Sequence, residues 1–575
     1  MCVEGQSGSL TRRALIRQGA LAGGAIALTG SAGPVARAAA RLATARKQPP
    51  NILVVVVDQL RTPLWFQDAP AARALMPNLL RLQQGAAVFT SHYTAANDCT
   101  PARSTLLTGL YSHQTGCLVT GGSTLAPAFP TWGTLLRAHG YDTAWFGKWH
   151  LTSHDNTWTP AHDARALERY GFDGGTYPSP DGAPGQGWRA DPMIAGQFAT
   201  WYAKAPANRP WCTTVSFVNP HDIAWWYRWS NQAAFERSAP SVASSLPPNF
   251  ETTEQLIARH KPRLQLSLQE TAASGFGPVP LSGPRVASAW LPFLDLYLKL
   301  SHQVDRQLGV VLATLASRPS IAANTIIIFT SDHGEYGGSH GLRGKGGGAY
   351  EEAIRVPLIV KDLRANPLTR ATQIQRTGLT SSVDVTPLLL TLATGSNAWR
   401  FDPLFAHLAG RHDIASMLTD PSAPGRSFVL HATDEIVSEF AIEPYAYNAP
   451  LHVTAIRTPH AKYAVYSNWK PLTNEPEPAG QERELYDYAT HAGTLELDNR
   501  AGKSSLEHSL DGELASAIRN ELREPLPTRL RAAQADGYSD YHVTAQTTAL
   551  QQARSRRKLE EAEPPSKAAE KLGSQ

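Results

Sequence analysis

Five apolar runs rich in β-branched residues recur along the chain, with helical stretches between them. The runs are Ile52–Val57, Thr143–Phe146, Thr213–Val218, Thr325–Thr330 and Pro357–Val360. Helical patterns cover Pro77–Gln84, Val286–Leu315 and Val383–Thr394. Continuous apolar strands that alternate with helices are typical of a mostly parallel sheet covered by helices on both faces. We therefore predict an α/β fold built on one large sheet.

Polar side chains follow four of these runs at the point where each run ends. They are Asp58 and Gln59, then Lys148 and His150, then His221 and Asp222, and finally Asp332, His333 and Glu335. The carboxyl ends of parallel strands meet at one edge of a sheet, where ligands bind in open α/β folds. The sequence therefore predicts one site that gathers these groups. A carboxylate such as Asp58 is either a metal ligand or a helix cap, and the pair Asp332-His333 favours the metal.

Composition and charge narrow the class of protein. Of the 575 residues, 42% are hydrophobic and 18% are charged, which is ordinary for a globular chain and sufficient for two domains. The formal net charge is +4, but residues 1–40 carry four arginines against one glutamate, so the rest of the chain is close to neutral. A near-neutral body argues against nucleic acid or an anionic membrane surface as a partner.

The N-terminus resembles a twin-arginine signal peptide over residues 1–40. Arg12 and Arg13 precede a glycine-diluted apolar segment at 19–33, and Ala36-Arg37-Ala38 offers small residues for cleavage. We expect a periplasmic or secreted protein exported by the twin-arginine (Tat) route. An exposed basic tail is the alternative. No later apolar run is long enough to span a membrane, so no integral membrane segment is expected in the mature chain.

The remainder divides into three parts. We predict a large domain over residues 48–440, which carries the predicted site, and a smaller C-terminal subdomain over 441–535. In the subdomain, Val453–Arg457 and Lys462–Ser467 alternate as antiparallel strands would. The charged end of the chain lacks apolar periodicity, and we predict a disordered tail over 536–575.

The four cysteines do not form a zinc-binding pattern. Cys2 lies within the predicted signal, and Cys99 lies within the motif described next. Cys117 and Cys212 could pair in an oxidising compartment, but two free buried thiols are the favoured interpretation.

Residues 99–109 read Cys-Thr-Pro-Ala-Arg-Ser-Thr-Leu-Leu-Thr-Gly. This run resembles the Cys-x-Pro-x-Arg…Thr-Gly signature of type I sulfatases of the alkaline phosphatase superfamily. The resemblance covers residues 49–395 strongly and 440–500 weakly. It implies an alkaline phosphatase-like sheet sandwiched by helices, with a smaller antiparallel α+β subdomain. It also implies that a formylglycine-generating enzyme oxidises Cys99 to formylglycine, whose hydrated aldehyde attacks sulfur. The alternative is a small apolar cysteine at the start of a helix.

Other motifs of the same family occur in order along the chain. The resemblance implies that Lys148 and Lys345 neutralise sulfate oxygens, that His150 and Arg103 contact the hydrated nucleophile, and that His221 faces the leaving group. A cation and lysines suit this chemistry, because negative charge grows on the bridging oxygen as its bond to sulfur breaks. His221 or Lys345 would protonate the departing alcohol.

The resemblance also implies one divalent cation. Its expected ligands are Asp58, Gln59, Cys99, Asp332 and His333. Oxygen donors dominate this set, so Ca²⁺ is the expected ion, and the single imidazole makes Mn²⁺ or Mg²⁺ admissible.

Two positions depart from the commonest arylsulfatase pattern and leave the substrate open. Gln59 stands where many members have aspartate, and His333 stands where many have asparagine, as in choline sulfatases and phosphonate monoester hydrolases. The first hypothesis is hydrolysis of aryl or alkyl sulfate monoesters, of a small molecule or a glycan. The second is a phosphonate monoester or phosphodiester hydrolase using the same site, and the third is a non-catalytic binding protein with unmodified Cys99. Four aromatic residues after His221 either line a leaving-group pocket or belong to an interface or the core: Trp225, Trp226, Tyr227 and Trp229.

Overall fold

The structure is a computed structural model. It describes residues 49–62, 74–152, 165–226, 242–369, 374–435, 449–470, 473–539 and 541–542. The predicted signal at 1–40 lies outside the described residues, as do Tyr227, Trp229 and residues 543–575 of the predicted tail.

Fourteen strands are present in the part of the chain that the structure describes. In chain order they are β1 Asn51–Val57, β2 Ala87–Phe89, β3 His92–Tyr93, β4 Asp142–Gly147, β5 Asp173–Gly174, β6 Trp211–Phe217, β7 Thr325–Ser331, β8 Leu358–Asp362, β9 Ile374–Arg376, β10 Thr380–Ser381, β11 Val429–Thr433, β12 His452–Arg457, β13 Ala461–Ser467 and β14 Glu482–Asp487.

Eight strands form the large sheet, in the order β5-β4-β6-β1-β7-β8-β2-β9. All neighbours in it are parallel except β8, which runs antiparallel to both β7 and β2. The predicted mostly parallel sheet is therefore confirmed, and each of the five predicted runs is a strand in it. The short strands β2, β5 and β9 were not predicted, because segments of two or three residues carry no periodicity.

The central strand β1 explains why the runs are apolar throughout. All seven of its residues are buried, and it pairs in register with β6 and β7, as in Val54↔Thr214 and Val54↔Ile328. Ile52, Val54 and Val56 enter the core on one face. The alternate residues of the strand enter a second core on the other face. Helices cover both faces, so neither set of side chains meets water.

The α-helices that lie wholly within the described residues are numbered in chain order. They are α1 Pro77–Gln83, α2 Cys99–Thr108, α3 Ser112–Thr115, α4 Trp132–Arg137, α5 Gln186–Lys204, α6 Thr253–Ala258, α7 Arg263–Phe276, α8 Val286–Ala316, α9 Pro319–Ala322, α10 Glu351–Ile354, α11 Val385–Thr394, α12 Ile414–Thr419, α13 His491–Thr494 and α14 Leu506–Ala517. The predicted helices at 77–84, 286–315 and 383–394 correspond to α1, α8 and α11, and α11 follows a short 3₁₀ turn, Ser382–Asp384.

The smaller antiparallel element is a four-stranded sheet in the order β11-β12-β13-β14. Helix α14 covers it: Leu510 and Leu514 share an apolar cluster with Ile456 of β12 and Tyr463 of β13. The sheet begins at Val429, twelve residues before the predicted boundary at 441, because β11 precedes the alternating pattern that suggested the boundary.

The predicted start of the disordered tail, residue 536, lies within an ordered segment. Residues 528–539 are helical, and Tyr541 is buried against Trp469, with 4.7 Å between ring centroids. Gly537 lies against Gly116, where an added Cβ would come within 2.6 Å of its neighbour's Cα. Long-range contacts of this kind leave no periodic trace in the local sequence, and so the prediction missed them.

Two further sequence predictions concern single features. Cys117 and Cys212 are both buried thiols that are not joined in a disulfide, as favoured from the sequence. Among the described residues, no helix combines the length and the apolarity that crossing a membrane requires.

Candidate active site

The predicted nucleophile lies at the first position of a fully buried helix. Helix α2 begins at Cys99, whose backbone N–H donates to the side chain of Asp98 at 3.1 Å. The Cys99 Sγ lies 3.3 Å from His333 Nε2 and 3.6 Å from Lys148 Nζ. The positive end of the helix dipole points at the same place. A negative charge at position 99 would therefore be stabilised by the Lys148 ammonium and by the helix N-terminus.

Arg103, one turn further along α2, joins the two carboxylates of the site. Its Nη2 lies 2.9 Å from Asp58 Oδ2 and 2.9 Å from Asp332 Oδ2. Its Nη1 donates to the backbone carbonyl of Lys148 at 2.9 Å and to Ser216 Oγ at 3.0 Å. Arg103 thus ties β1, β4, β6 and β7 together at their carboxyl ends. The predicted contact of Arg103 with the nucleophile remains a prediction.

Four of the five expected metal ligands converge. The donor atoms of Asp58, Cys99, Asp332 and His333 all lie within 4.8 Å of one another, and all four residues are buried. Asp58 Oδ1 has no hydrogen-bond partner among the described residues. His333 Nδ1 lies 3.0 Å from the Gly334 carbonyl, so the Nδ1–H tautomer leaves Nε2 as an acceptor that faces Cys99. Two carboxylates and an imidazole nitrogen that faces the same point fit a divalent cation.

The electrostatics of the site favour an ionised Asp58 and a neutral His333. Burial by itself would raise the pKa of Asp58, but Lys148, His221 and Arg103 hold that pKa well below its usual range. The Lys148 ammonium lies 2.7 Å from Asp58 Oδ2. Burial lowers the pKa of His333, with Asp332 opposing it. These are the protonation states in which both residues can bind a metal.

Gln59 lies between two charged side chains. Its Nε2 donates to Glu335 Oε2, and its Oε1 accepts from Lys345 Nζ at 2.8 Å. Its backbone N–H donates to Asp332 Oδ1 at 3.1 Å, and its φ is 63°, a left-handed conformation that non-glycine residues seldom adopt. The amide oxygen is therefore already engaged by Lys345, and metal binding by Gln59 stays a prediction.

His221 follows β6 on a short 3₁₀ turn, His221–Trp225. The turn is anchored to helix α5. Asp191 accepts from the backbone N–H groups of residues 218 and 219 at 2.7 and 3.0 Å, and Asp222 accepts from those of residues 187 and 188 at 3.2 and 3.1 Å. Gly182 packs against the imidazole, since a Cβ there would come within 2.4 Å of His221 Cε1. The ring is thus buried and held in one place.

The remaining predicted residues differ in how well the structure defines them. His150 is half-buried, in a left-handed conformation with φ 55°, and its carbonyl accepts from Thr100 Oγ1 at 2.9 Å. Trp225, the last residue of the turn that begins at His221, donates through Nε1 to the Gly182 carbonyl at 2.6 Å. Trp226 belongs to the core, with 5.1 Å between its ring centroid and that of Phe293.

Asp98 and Glu335 are polar residues of the site that the sequence analysis assigned no role. Asp98 accepts from Cys99 N and from Thr120 Oγ1 at 3.1 Å. Glu335 is fully buried and accepts from Gln59. Glu335 does carry a signal, because it belongs to the polar cluster after β7. Asp98 is recognisable as a residue type that caps helices, directly before α2.

Comparisons with known proteins identify the family of the chain. The sulfatase family profile matches residues 50–396. The choline-sulfatase of Rhizobium meliloti (strain 1021) is 29% identical over 374 residues, which are 60% of this chain and 67% of that protein.

Solved structures show the same fold. A 2-O GAG sulfatase has a TM-score of 0.60 at 20% identity, covering 83% of this chain and 92% of that one. The phosphonate monoester hydrolase of Silicibacter pomeroyi also has a TM-score of 0.60 at 20% identity, covering 83% and 96%. At this identity the likeness concerns the fold.

Proposed function

Because the chain belongs to the sulfatase family of sulfuric ester hydrolases, we propose that it hydrolyses sulfate monoesters with Cys99, converted to formylglycine, as its nucleophile. The observation that carries this proposal is the placement of Cys99. Its Sγ is buried at a helix N-terminus, beside Lys148 and His333, in the same pocket as Asp58 and Asp332. An unmodified structural cysteine needs none of these neighbours.

One divalent cation completes the proposed site. Asp58, Asp332 and His333 would hold it, with Gln59 and the modified position 99 as further ligands; Ca²⁺ is the expected ion. When bound, the cation supplies a fixed positive charge that stabilises negative charge on the sulfuryl oxygens. Buried Asp58 Oδ1, with no hydrogen-bond partner among the described residues, supports a ligand at this point.

The basic residues of the chain give the remaining stabilisation. Lys148 lies beside Asp58, and Lys345 lies beside Gln59. Both ammonium groups lie on side chains that the fold buries, so their charges are little screened by water and need no reorganisation during reaction. Arg103 contacts both carboxylates, those of Asp58 and Asp332, and its positive charge offsets the repulsion between them.

His221 is the proposed general acid. Its ring is buried on an anchored turn, and its charge contributes to lowering the pKa of the Asp58 carboxyl. A proton donated from the ring to the departing alkoxide oxygen would assist cleavage of esters with poor leaving groups. Lys345 is the other candidate for this donor.

Mass spectrometry of the tryptic peptide that contains Cys99 tests the modification directly. The protein is co-expressed with a formylglycine-generating enzyme, and the aldehyde form is expected. Full sulfatase activity in protein whose Cys99 is wholly thiol contradicts the proposal.

A second candidate function is hydrolysis of phosphonate monoesters or phosphodiesters at the same site. The residue pairs Asp58-Gln59 and Asp332-His333 favour it, since they depart from the commonest arylsulfatase pattern. Steady-state kinetics on paired aryl sulfate and aryl phosphonate esters separate the two. We expect the larger kcat/KM for the sulfate, and the reverse order supports the second candidate.

We also propose export by the twin-arginine route, on the basis of Arg12 and Arg13 in the sequence. Replacing both by lysine is expected to retain the protein in the cytoplasm, as measured by fractionation of the expressing cells. Unchanged export of this variant contradicts the proposal.

A further inference from the structure

We propose that Glu335 is a positioning residue, which orients the side-chain amide of Gln59 and through it holds Lys345 at the site. The inference rests on the role of Lys345 in the proposed function. Nothing in the sequence motifs assigns Glu335 a part in the reaction.

Glu335 is fully buried, and both of its carboxylate oxygens accept hydrogen bonds. Its Oε1 accepts from the backbone N–H of Gly337 at 3.1 Å and from that of Gly344 at 2.7 Å. Its Oε2 accepts from Gln59 Nε2. Glu335 therefore holds both the backbone directly before Lys345 and the side chain that Lys345 contacts.

The orientation of the Gln59 amide follows from these partners. A carboxamide has one end that donates and one end that accepts. With its NH₂ directed at the Glu335 carboxylate, its oxygen is directed at Lys345 Nζ, 2.8 Å away. The reverse orientation would place an NH₂ group against an ammonium and an oxygen against a carboxylate, and both contacts are repulsive. The carboxylate thus decides which end of the amide meets the lysine.

The backbone of Gln59 keeps this hydrogen-bonded chain, from Glu335 through Gln59 to Lys345, in place. Its left-handed conformation and its hydrogen bond to Asp332 fix where the side chain begins. The only freedom left to a buried amide so placed is the exchange of its two ends. Glu335 removes that freedom.

Glu335→Gln is the informative single variant, because it preserves size and keeps one oxygen for the two backbone donors. Its new NH₂ then faces the NH₂ of Gln59, and relief of that contact turns the Gln59 amide so that its NH₂ meets Lys345. We expect kcat/KM for an aryl sulfate and the affinity for inorganic sulfate each to fall by about 10²-fold, as for loss of a charge-assisted contact.

The reciprocal exchange makes the test specific. Gln59→Glu alone places two buried carboxylates side by side and is also expected to reduce activity. In the double variant Glu335→Gln/Gln59→Glu, the carboxylate at position 59 accepts from both the new amide and Lys345. We expect kcat/KM and sulfate affinity of the double variant to exceed those of either single variant by about 10-fold or more, a coupling that a packing defect does not produce.

Three measurements accompany the kinetics: metal content per chain, melting temperature, and binding of inorganic sulfate by calorimetry. Equal metal content among the variants excludes an effect through Asp332 or the cation. If Gln59→Glu does not fold, Glu335→Gln in a Lys345→Met background supplies the test, since it should add nothing there to the loss caused by Lys345→Met. Additive losses in either cycle, or unchanged sulfate affinity in Glu335→Gln, overturn the inference.

Failure of the proposed function gives a different pattern. If the wild-type protein hydrolyses no sulfate or phosphonate ester, the proposed function fails. The effect of Glu335 on Lys345 can still be measured as a change in the affinity for inorganic sulfate, because Lys345 contacts Gln59 whatever ester the site accepts.

Discussion

Two buried groups of histidine and carboxylate residues differ in how completely their carboxylate oxygens are hydrogen-bonded within the protein. One is the candidate active site, with Asp58, Asp332 and His333. The other comprises His113, Asp434 and His452, and lies between helix α3 and the small antiparallel sheet. Both groups place potential metal ligands close together, and all these residues are buried.

In the second group the carboxylate is saturated. Asp434 Oδ2 accepts from His113 Nε2 at 2.7 Å, and Oδ1 accepts from His452 Nδ1 at 2.5 Å and from Trp469 Nε1 at 2.9 Å. In the candidate site, by contrast, Asp58 Oδ1 has no hydrogen-bond partner among the described residues. A buried acceptor without a partner is costly unless a ligand meets it. The comparison indicates that the first group is built for a ligand and the second for stability.

The largest expected effect is at the nucleophile. Cys99→Ala should reduce turnover of aryl sulfates by at least about 10⁴-fold, because covalent catalysis is lost. Cys99→Ser retains a single hydroxyl and should give at most one turnover per chain. Stopped-flow and steady-state assays measure both. Cys117→Ala is the matched control, a second buried thiol whose loss should leave kcat unchanged; substantial turnover by Cys99→Ala contradicts the assignment.

Metal content separates the two groups most directly. Asp332→Asn should lose the cation and reduce kcat/KM about 10³-fold. The fold should be kept, since Asp332 directly follows the carboxyl end of β7. Asp434→Asn should leave the metal content unchanged. Elemental analysis of extensively dialysed protein should give one divalent ion per chain for wild type. Active protein without metal, or with zinc in a two-ion ratio, shows that the site is wrongly assigned.

The proposed general acid, His221, should matter most for esters with poor leaving groups. His221→Ala should slow alkyl and weakly activated aryl sulfates by about 10²-fold and nitrophenyl sulfate much less, because a good leaving group needs no proton. The measurement is the loss in kcat/KM plotted against leaving-group pKa. Lys345→Ala is the comparison. A flat plot for His221→Ala removes it from this role and leaves Lys345 as the donor.

The smallest effect on turnover is expected at the second group, where stability changes instead. Burial would raise the pKa of Asp434, but His452 and His113 hold that pKa below its usual range. A carboxylate with a lowered folded-state pKa contributes stability above its unfolded pKa, and that contribution is lost as pH falls through the folded value.

Asp434→Asn should therefore lower the free energy of unfolding by about 3 kcal/mol near neutral pH. The difference from wild type should shrink below about pH 4, near the ordinary pKa of aspartate. Denaturant titrations at several pH values measure it. A difference that is independent of pH contradicts the role of the Asp434 charge.

Particular residues show how far the sequence reaches. The continuous apolar pattern of β1 predicts a buried strand with Asp58 at its end, and the structure places Asp58 there. The same reasoning predicts Asp332 and His333 after β7, at the same edge of the sheet. It did not predict β11 as the start of the small sheet, since the alternating pattern there begins only with the next strand. Nor did it predict that Tyr541 packs on Trp469.

What the sequence alone determines about this protein is local: strand and helix periodicity, the residue types at strand ends, and the motif that begins at Cys99. These suffice for the α/β fold and for the composition of the site, because parallel strands bring their carboxyl ends to one edge. The tertiary structure decides which partners those residues take. Gln59 meets Lys345 across 286 residues of chain, and Arg103 joins Asp58 to Asp332. Such pairings depend on the order of the strands in the sheet, and local periodicity carries no information about that order.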